Sequence, residues 1–305
     1  MITAVTLTGY ASLVGAVAPY LLVRARWPHQ APTVAVLAWL GLMVTFVVSA
    51  TLALNHLVLA ERQHVHSGLL GLLSACGVVI DARAGDMTPA FSDFTALLGP
   101  AAIVLLPLGW LLHTARRSRR ARQRQLDMLA LVGSPAAEYD ATIVEHDVPA
   151  VYCLPGRACR VVVTRGALDL LSGPQLRAVL AHERGHIEGR HHLLLMVTEA
   201  FGRAFPGLPL ARHAKEQTEL LLEMAADDHA LRFHPREELA TAMCEVASGR
   251  VPRAAMGAGG PGTLIRLRRV LNPRARPRRV TWVAVVATSV TAPLLPLLFT
   301  CGHVV

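Results

Sequence analysis

The chain has few charged residues, few aromatic residues and almost no lysine. Charged residues make up 17% of its 305 residues and aromatic residues 5%, whereas 53% are hydrophobic. This shortage of charge, together with a positive mean hydropathy, indicates a membrane protein rather than a soluble one. The net charge of +9 comes almost wholly from arginine, because Lys215 is the only lysine.

Three further features are missing, and each absence excludes a class of protein or site. The five cysteines have no regular spacing, which excludes a disulfide framework and a cysteine-type zinc site. The glycine-rich stretch 256–262 lacks the Lys-Ser/Thr ending of a phosphate-binding loop and follows no strand, so we expect no nucleotide site. No positive charge precedes the first apolar run, which therefore does not resemble a cleaved signal peptide.

Four apolar runs are long enough to cross the hydrocarbon core, which needs roughly twenty residues. Three of them lie within residues 1–115, and the fourth lies within 280–305, where Pro293 and Pro296 should kink it. The four runs are approximately 2–23, 33–54, 94–112 and 280–299. Arginines flank these runs, which predicts membrane topology and no direct binding of nucleic acid.

The positions of the arginines also predict an orientation. If the basic flanks stay in the cytoplasm, residues 116–279 form a cytoplasmic domain and both termini are extracytoplasmic, in a multi-pass protein of the cell membrane. The run 67–80 is too short to cross easily, and we expect an interfacial or packed helix there. The run 192–210 is predicted to be a hairpin that lies on or dips into the membrane. Whether either run enters the membrane stays open, as does pairing of Cys76 with Cys301 near the outer face.

The segment His182-Glu183-Arg184-Gly185-His186 has the spacing of a zinc-peptidase motif. Residues four apart lie on one face of a helix, so His182 and His186 can present two imidazole nitrogens to one metal ion. Glu183 is then close enough to accept a proton from an attacking water. Residues 172–175 read as the start of this helix. Taken alone, the motif could also be a solvated histidine pair, since chance produces it in roughly a few per cent of chains this long.

A third candidate ligand lies in a second predicted helix, residues 215–233. Glu223 would complete a site of two histidines and one glutamate, which leaves a fourth position of the metal open. Asp227 lies one turn further along the same face and could accept the outward N–H of a ligand histidine. Glu223 alone could be a solvated carboxylate, but the two motifs together predict one zinc ion per chain.

These motifs, with the preceding Val161-Val162-Val163-Thr164-Arg165-Gly166-Ala167-Leu168, resemble two related groups of membrane metallopeptidases. One is the BlaR/MecR-type antirepressor family, and the other is the HtpX and CAAX-prenyl-protease group. The resemblance covers residues 152–233. The resemblance implies that His182, His186 and Glu223 bind zinc. It also implies that Glu183 is catalytic and that Asp227 supports the ligands from behind.

The chain departs from the first family in two respects. Arg184 stands where the family commonly has leucine, and we expect this side chain to face away from the metal. No extracytoplasmic penicillin-binding sensor domain is expected, because the chain ends at Val305. The resemblance therefore does not extend to antibiotic sensing.

Several residues around the motif are weaker candidates. Strands are predicted at 143–148 and 160–164, and in zinc peptidases of the resembled type a strand such as the second pairs with an extended substrate. Its residues Val162 and Val163 are therefore candidate substrate contacts, unless the strand belongs only to the core. His229 and Arg232 are candidate donors to the oxyanion, or part of a solvated helix face. His191 and His192 follow His186 too soon to be the third ligand and are expected at the surface.

The predicted fold is mainly α: a multi-span α-helical membrane protein of about four spans, with an α-rich zincin-type cytoplasmic domain that carries a small β-sheet.

Three functions remain open. The first is a regulatory endopeptidase that cleaves a cytoplasmic transcriptional repressor or itself; the second is an HtpX-like quality-control peptidase; the third is a zinc-stabilised interaction protein without turnover. We favour the first, because three spans precede the domain and one follows it. The expected partners are a protein or peptide substrate and the lipid bilayer.

Overall fold

The computed structural model of the chain describes residues 2–59, 91–154, 160–249, 261–272 and 279–301. The predicted interfacial run 67–80, Cys76 and most of the glycine-rich stretch lie outside the described residues. The mainly helical fold with a small sheet is confirmed.

The chain begins with two antiparallel apolar rods. The first consists of α1 (Ile2–Ser12), a π-helical turn (Leu13–Val17) and α2 (Ala18–Arg24), and the second is α3 (Pro32–Leu59). The π-helical turn has a local cause: Pro19 has no N–H to donate to the carbonyl of Gly15, so the regular helical ladder is interrupted there. Both rods are long and apolar enough to cross a membrane.

The third apolar segment is part of a single long helix, α4 (Phe91–Val132). Its 42 residues correspond to about 60 Å of helix, and residues 98–132 pass the same length and hydropathy criteria as the two rods. The sequence predicted a span at 94–112, and the helix continues beyond this span without a break to Val132. The helix is continuous because arginine, glutamine and alanine, which dominate residues 113–125, all favour helix.

The strands follow directly, as β1 (Gly133–Ala136), β2 (Ala141–Val144), β3 (Val151–Leu154) and β4 (Arg160–Thr164). They form one mixed sheet in the order β1-β2-β4-β3, in which only β2 and β4 are parallel. The predicted strand 160–164 is confirmed. The predicted strand 143–148 overlaps β2 only at residues 143–144, because β2 ends at Val144. Neither β1 nor β3 was predicted; β1 contains Gly133 and Pro135, residues that strands usually exclude.

Six helices complete the central part of the chain. They are α5 (Arg165–Leu170), α6 (Gly173–Glu188), α7 (His191–Ala204), α8 (Pro209–Ala230), α9 (Arg236–Gly249) and α10 (Pro261–Leu271). One face of α6 packs on the sheet, where Leu176 and Leu180 join Val161 and Val163 in a buried cluster. The α8 helix packs against α3 in a second buried cluster, which contains Trp39, Leu221 and Met224. These two cores hold α6 and α8 in place.

The α7–α8 pair forms the predicted hairpin, with its break at residues 205–208. Its tip reaches the first two rods. The ring of Phe205 lies 5.4 Å from that of Phe46 in the middle of α3, and a Cβ atom at Gly15 would lie 3.1 Å from the Cδ1 of Leu208. The tip therefore lies beside the central turns of both apolar rods, and entry of the hairpin into the membrane stays a prediction.

The last apolar run forms α11 (Arg279–Thr291), a 3-10 turn (Ala292–Leu294) and α12 (Leu295–Cys301). The break occurs at the predicted Pro293. This rod packs on α3, where a Cβ at Gly41 would come within 2.8 Å of the carbonyl oxygen of Ser289. Its apolar stretch, Trp282–Leu298, is shorter than the three preceding candidates, so the count of four spans stays a prediction.

The β4–α5 corner depends on a glycine. The N–H of Gly166 donates to the carbonyl of His146 at 3.0 Å, and a Cβ at this position would overlap the carbonyl oxygen of Asp147.

We expect Gly166→Ala to destabilise the full-length protein by about 1–3 kcal/mol, because backbone rather than a side chain must move. The measurement is the apparent Tm in detergent. Gly109→Ala is the control, because a Cβ there meets nothing within 4 Å, and an equal loss in both variants would contradict this account.

Candidate metal centre

Three predicted ligands converge between α6 and α8. The Nε2 atoms of His182 and His186 are 3.1 Å apart, and Glu223 places Oε1 3.3 Å from the Nε2 of His186 and Oε2 3.7 Å from the Nε2 of His182. In tetrahedral zinc sites with bonds of about 2.0–2.1 Å, neighbouring ligand atoms are about 3.4 Å apart. One nitrogen of each histidine and one oxygen of Glu223 therefore fit one zinc ion in both chemistry and spacing, and the described residues contain no other such group.

The convergence needs a close approach of the two helices. A Cβ at Gly185 would lie 3.2 Å from the Cα of Ala226 and 3.0 Å from the Cβ of His229. Glycine therefore allows α6 to lie almost against the backbone of α8. The register of α6 is fixed at its start, where the N–H of Ser172 donates to Oε1 of Gln175 at 2.8 Å, as the predicted helix start requires.

Glu183 is largely buried and is held by the sheet. Its Oε2 accepts a hydrogen bond from the backbone N–H of Cys153 in β3 at 3.0 Å. Burial raises the pKa of Glu183 above its usual value, although the neighbouring histidines act in the opposite direction. A carboxylate with a raised pKa is a stronger base, which suits a group that must accept a proton near neutral pH.

Asp227 lies behind the first histidine. Its side chain is 1% exposed, and its Oδ1 is 3.0 Å from the Nδ1 of His182, although the N–H of the ring is not well aligned with that oxygen. Burial raises the pKa of Asp227, but hydrogen bonds from Arg266 and the contact with His182 outweigh it, so the pKa lies below the usual value. Burial lowers the pKa of His182, and the contacts with Asp227 and Glu223 outweigh this and raise it to about 9.

Arg266 on α10 joins the two carboxylates, and the sequence reasoning missed it. Its Nε and Nη2 donate to the two oxygens of Asp227 at 2.9 and 2.7 Å, and its Nη1 donates to Oε2 of Glu223 at 2.6 Å. The side chain is 15% exposed. Arg266 begins a basic stretch before the last apolar run, where flanking arginines predict membrane topology. Only the spacing of the apolar residues within 264–270 could have indicated that one face of this segment is buried.

His191 was predicted to lie at the surface, and this was wrong. It is buried at the start of α7, with its Nδ1 2.8 Å from the Nδ1 of His186. Burial lowers the pKa of His191 to about 4, so the ring is neutral near pH 7. If His186 binds a metal through Nε2, its Nδ1 carries the proton and donates to His191. The second histidine of the motif thus has an imidazole behind it where the first has a carboxylate.

The remaining predicted site residues lie elsewhere. Val162 and Val163 are fully buried in β4, which pairs with β2 on one side and β3 on the other, so this strand has no free backbone edge for a substrate. His229 packs near Gly185, with its Nδ1 3.7 Å from an oxygen of Glu188. Arg232 is exposed in the turn after α8. Arg184 donates to the carbonyl of Tyr139, and this fits the predicted orientation away from the metal ligands.

Comparison with known proteins gives one family. Residues 115–219 match the model of peptidase family M48. This match supports a metallopeptidase, and it includes the His182–His186 segment but ends before Glu223. A search of curated proteins and of solved structures gave no match.

Replacing Arg266 should weaken metal binding. We expect Arg266→Gln to lower the affinity for zinc about 10- to 100-fold, because both carboxylates lose the group that orients them. Arg266→Lys should not restore the affinity, since one ammonium cannot reproduce the three-bond fork. The measurement is zinc competition with a chelator on the full chain. Arg268→Gln, an exposed cation two residues away, is the matched control, and a wild-type affinity in Arg266→Gln would contradict the assignment.

The two histidines at the start of α7 should differ in their effect on the affinity for zinc. His191→Ala removes the partner of His186, so zinc affinity should fall about tenfold or more. The adjacent His192 makes no described contact with the three ligands, and His192→Ala should bind zinc like the wild type. The same chelator competition decides the matter, and equal affinities in the two variants would refute the role given to His191.

Proposed function

We propose that the protein is a membrane-embedded, zinc-dependent endopeptidase with Glu183 as its general base. The observation that carries this proposal is the convergence of His182, His186 and Glu223 into one ligand triangle beside Glu183. The family match adds support for peptidase chemistry. The three long apolar helices support a location in the membrane.

The residues of the chain suggest a division of roles. His182, His186 and Glu223 would hold zinc, which when bound polarises a substrate carbonyl and makes water a better nucleophile. Glu183 accepts a proton from the attacking water and passes it to the leaving amine. Asp227 and His191 hold the two histidine rings from behind, and Arg266 keeps both carboxylates ionised and fixed.

The substrate would pair with β3 rather than with β4. β3 is an edge strand of the sheet, and the bond from Cys153 to Glu183 shows that its open edge faces the active-site helix α6. An extended peptide added to this edge would pass close to Glu183. Main-chain pairing of this kind gives affinity with little dependence on sequence.

The site lies close to the loop that joins the first two apolar rods. Arg269 on α10 donates to the carbonyl of His29 in that loop and to Oδ2 of Asp228 on α8, in each case at 2.7 Å. If the arginine-rich flanks are cytoplasmic, the catalytic residues lie at the inner surface of the membrane and both termini are outside.

We further propose a regulatory role, in which the substrate is a cytoplasmic repressor or the enzyme itself. The order of the apolar helices around the domain supports it, since three precede the domain and one follows. Self-cleavage would appear as fragments in the intact mass of the purified wild type. General cleavage of unfolded membrane proteins without self-cleavage or repressor cleavage would favour quality control instead.

Glu183→Gln separates chemistry from metal binding. We expect the variant to keep its zinc and to lose hydrolysis by about 10²- to 10⁴-fold, because the proton acceptor is gone while the ligands remain. The measurements are elemental analysis and casein cleavage by detergent-purified protein.

His186→Ala is the companion variant and should lose the metal together with the activity. Full turnover by zinc-loaded Glu183→Gln would rule out Glu183 as the base. Undiminished zinc in His186→Ala would rule out the ligand set. Zinc in the wild type with no cleavage of any substrate would favour the non-enzymatic alternative.

A further inference from the structure

A charged cavity lies along the α7–α8 hairpin, from its tip towards Tyr20 on α2, away from the metal centre. It has a volume of about 490 Å³ and lies between this hairpin and α2. Three cationic side chains line it, together with one carboxylate, namely Arg203, Arg212, Lys215 and Glu199. Lys215 is the only lysine of the chain.

The positive charge of this cavity is only partly neutralised. Glu199 binds Lys215 at 2.5 Å and Arg203 at 2.8 Å, through its two oxygens. Arg212 contacts the Nε2 of His213 at 3.4 Å and has no carboxylate partner among the residues that the structure describes. The lining therefore presents more positive than negative charge and would attract an anion.

The surroundings of the cavity are those of a membrane interface. Tyr20 forms part of the wall about one helical turn before Arg24, where α2 ends. The guanidinium of Arg203 lies 5.4 Å from the ring centre of Trp110 on α4. Tyrosine and tryptophan are enriched at the boundary between lipid and water. Charged side chains at this depth are costly without a counter-charge, and they commonly mark functional sites.

An apolar crevice begins where the charged cavity ends. The two share Leu208, and the crevice has a volume of about 370 Å³ between the first rod and α3. Its lining is almost entirely apolar or small, and includes Ala11, Gly15, Ala50 and Leu57. Along the first rod the crevice lies on the side of Leu208 farther from Arg24. Starting from the Arg24 end of the first rod, the charged cavity therefore comes first and the apolar crevice second. A phospholipid in the leaflet on the arginine-rich side would place its phosphate and its acyl chains in the same order.

We propose that this composite cavity binds one anionic phospholipid, with the phosphate near Arg203, Arg212 and Lys215 and an acyl chain in the crevice between the first rod and α3. The charge selects the headgroup, and the continuity at Leu208 selects a ligand with a long apolar tail. Such a lipid would fix the hairpin whose second helix, α8, carries Glu223. The proposal relies on the membrane location proposed above but not on peptidase activity.

The test uses the full chain, purified in neutral detergent and stripped of lipid. Thermal unfolding is followed during titration with three probes: dioleoyl phosphatidylglycerol, phosphatidylcholine with the same chains, and inorganic phosphate. We expect phosphatidylglycerol to stabilise the protein at a concentration lower by on the order of tenfold than phosphatidylcholine, because only the first has a net negative charge. Inorganic phosphate should stabilise least, since it has no chains.

Two changes separate the headgroup from the chain. The double variant Arg212→Gln/Lys215→Gln should reduce the response to phosphatidylglycerol to that of phosphatidylcholine. Ala50→Phe fills the crevice and should weaken the response to both lipids without changing the response to phosphate. Arg177→Gln is the control, because it removes an exposed arginine at the start of α6, distant in sequence and in element from the cavity.

Four results would overturn the proposal. Equal responses of the wild type to the two lipids would remove the headgroup preference. A preference that survives in the double variant would place it elsewhere on the protein. Inorganic phosphate as effective as phosphatidylglycerol, or an unchanged lipid response in Ala50→Phe, would show that the crevice holds no acyl chain. None of these results depends on zinc or turnover, so failure here is distinct from failure of the proposed peptidase function.

Discussion

The candidate metal centre depends on the burial of one negative charge. Asp227 is removed from solvent on α8, and an unpaired carboxylate in such a place would be costly. Two partners neutralise it, the ring of His182 on α6 and the guanidinium of Arg266 on α10. Because Arg266 also binds Glu223, one buried charge fixes three helices relative to each other. The ligand triangle is the result of that arrangement, and no loop contributes to it.

The sequence predicted those parts of the site that are local to one helix. Helical spacing alone places His182, Glu183 and His186 on neighbouring positions of α6, and Glu223 and Asp227 one turn apart on α8. The apolar rods were predicted for the same reason, since length and hydropathy are properties of a single segment. The strand 160–164 was found because β-branched residues dominate it.

What the sequence did not predict arises from packing between distant segments. Arg266 lies 39 residues after Asp227 and looks like any other arginine beside a membrane run. His191 was predicted at the surface because nothing in the sequence shows that α7 returns against the end of α6. The substrate strand was assigned to β4, the more β-prone strand, because sheet order is not visible in one sequence; β3 lies at the edge.

The glycine at the crossing of α6 and α8 has a consequence for how much the five-residue motif can vary. Two of its positions carry no metal ligand and no base, and a pattern search treats them as interchangeable. In this protein they are not. Arg184 points to the β1–β2 turn, so many side chains could replace it there, whereas any side chain at Gly185 would push the backbone of Ala226 away. Helix packing therefore places little restriction on the residue at position 184, whereas the residue at position 185 is restricted by the distance between the axes of α6 and α8.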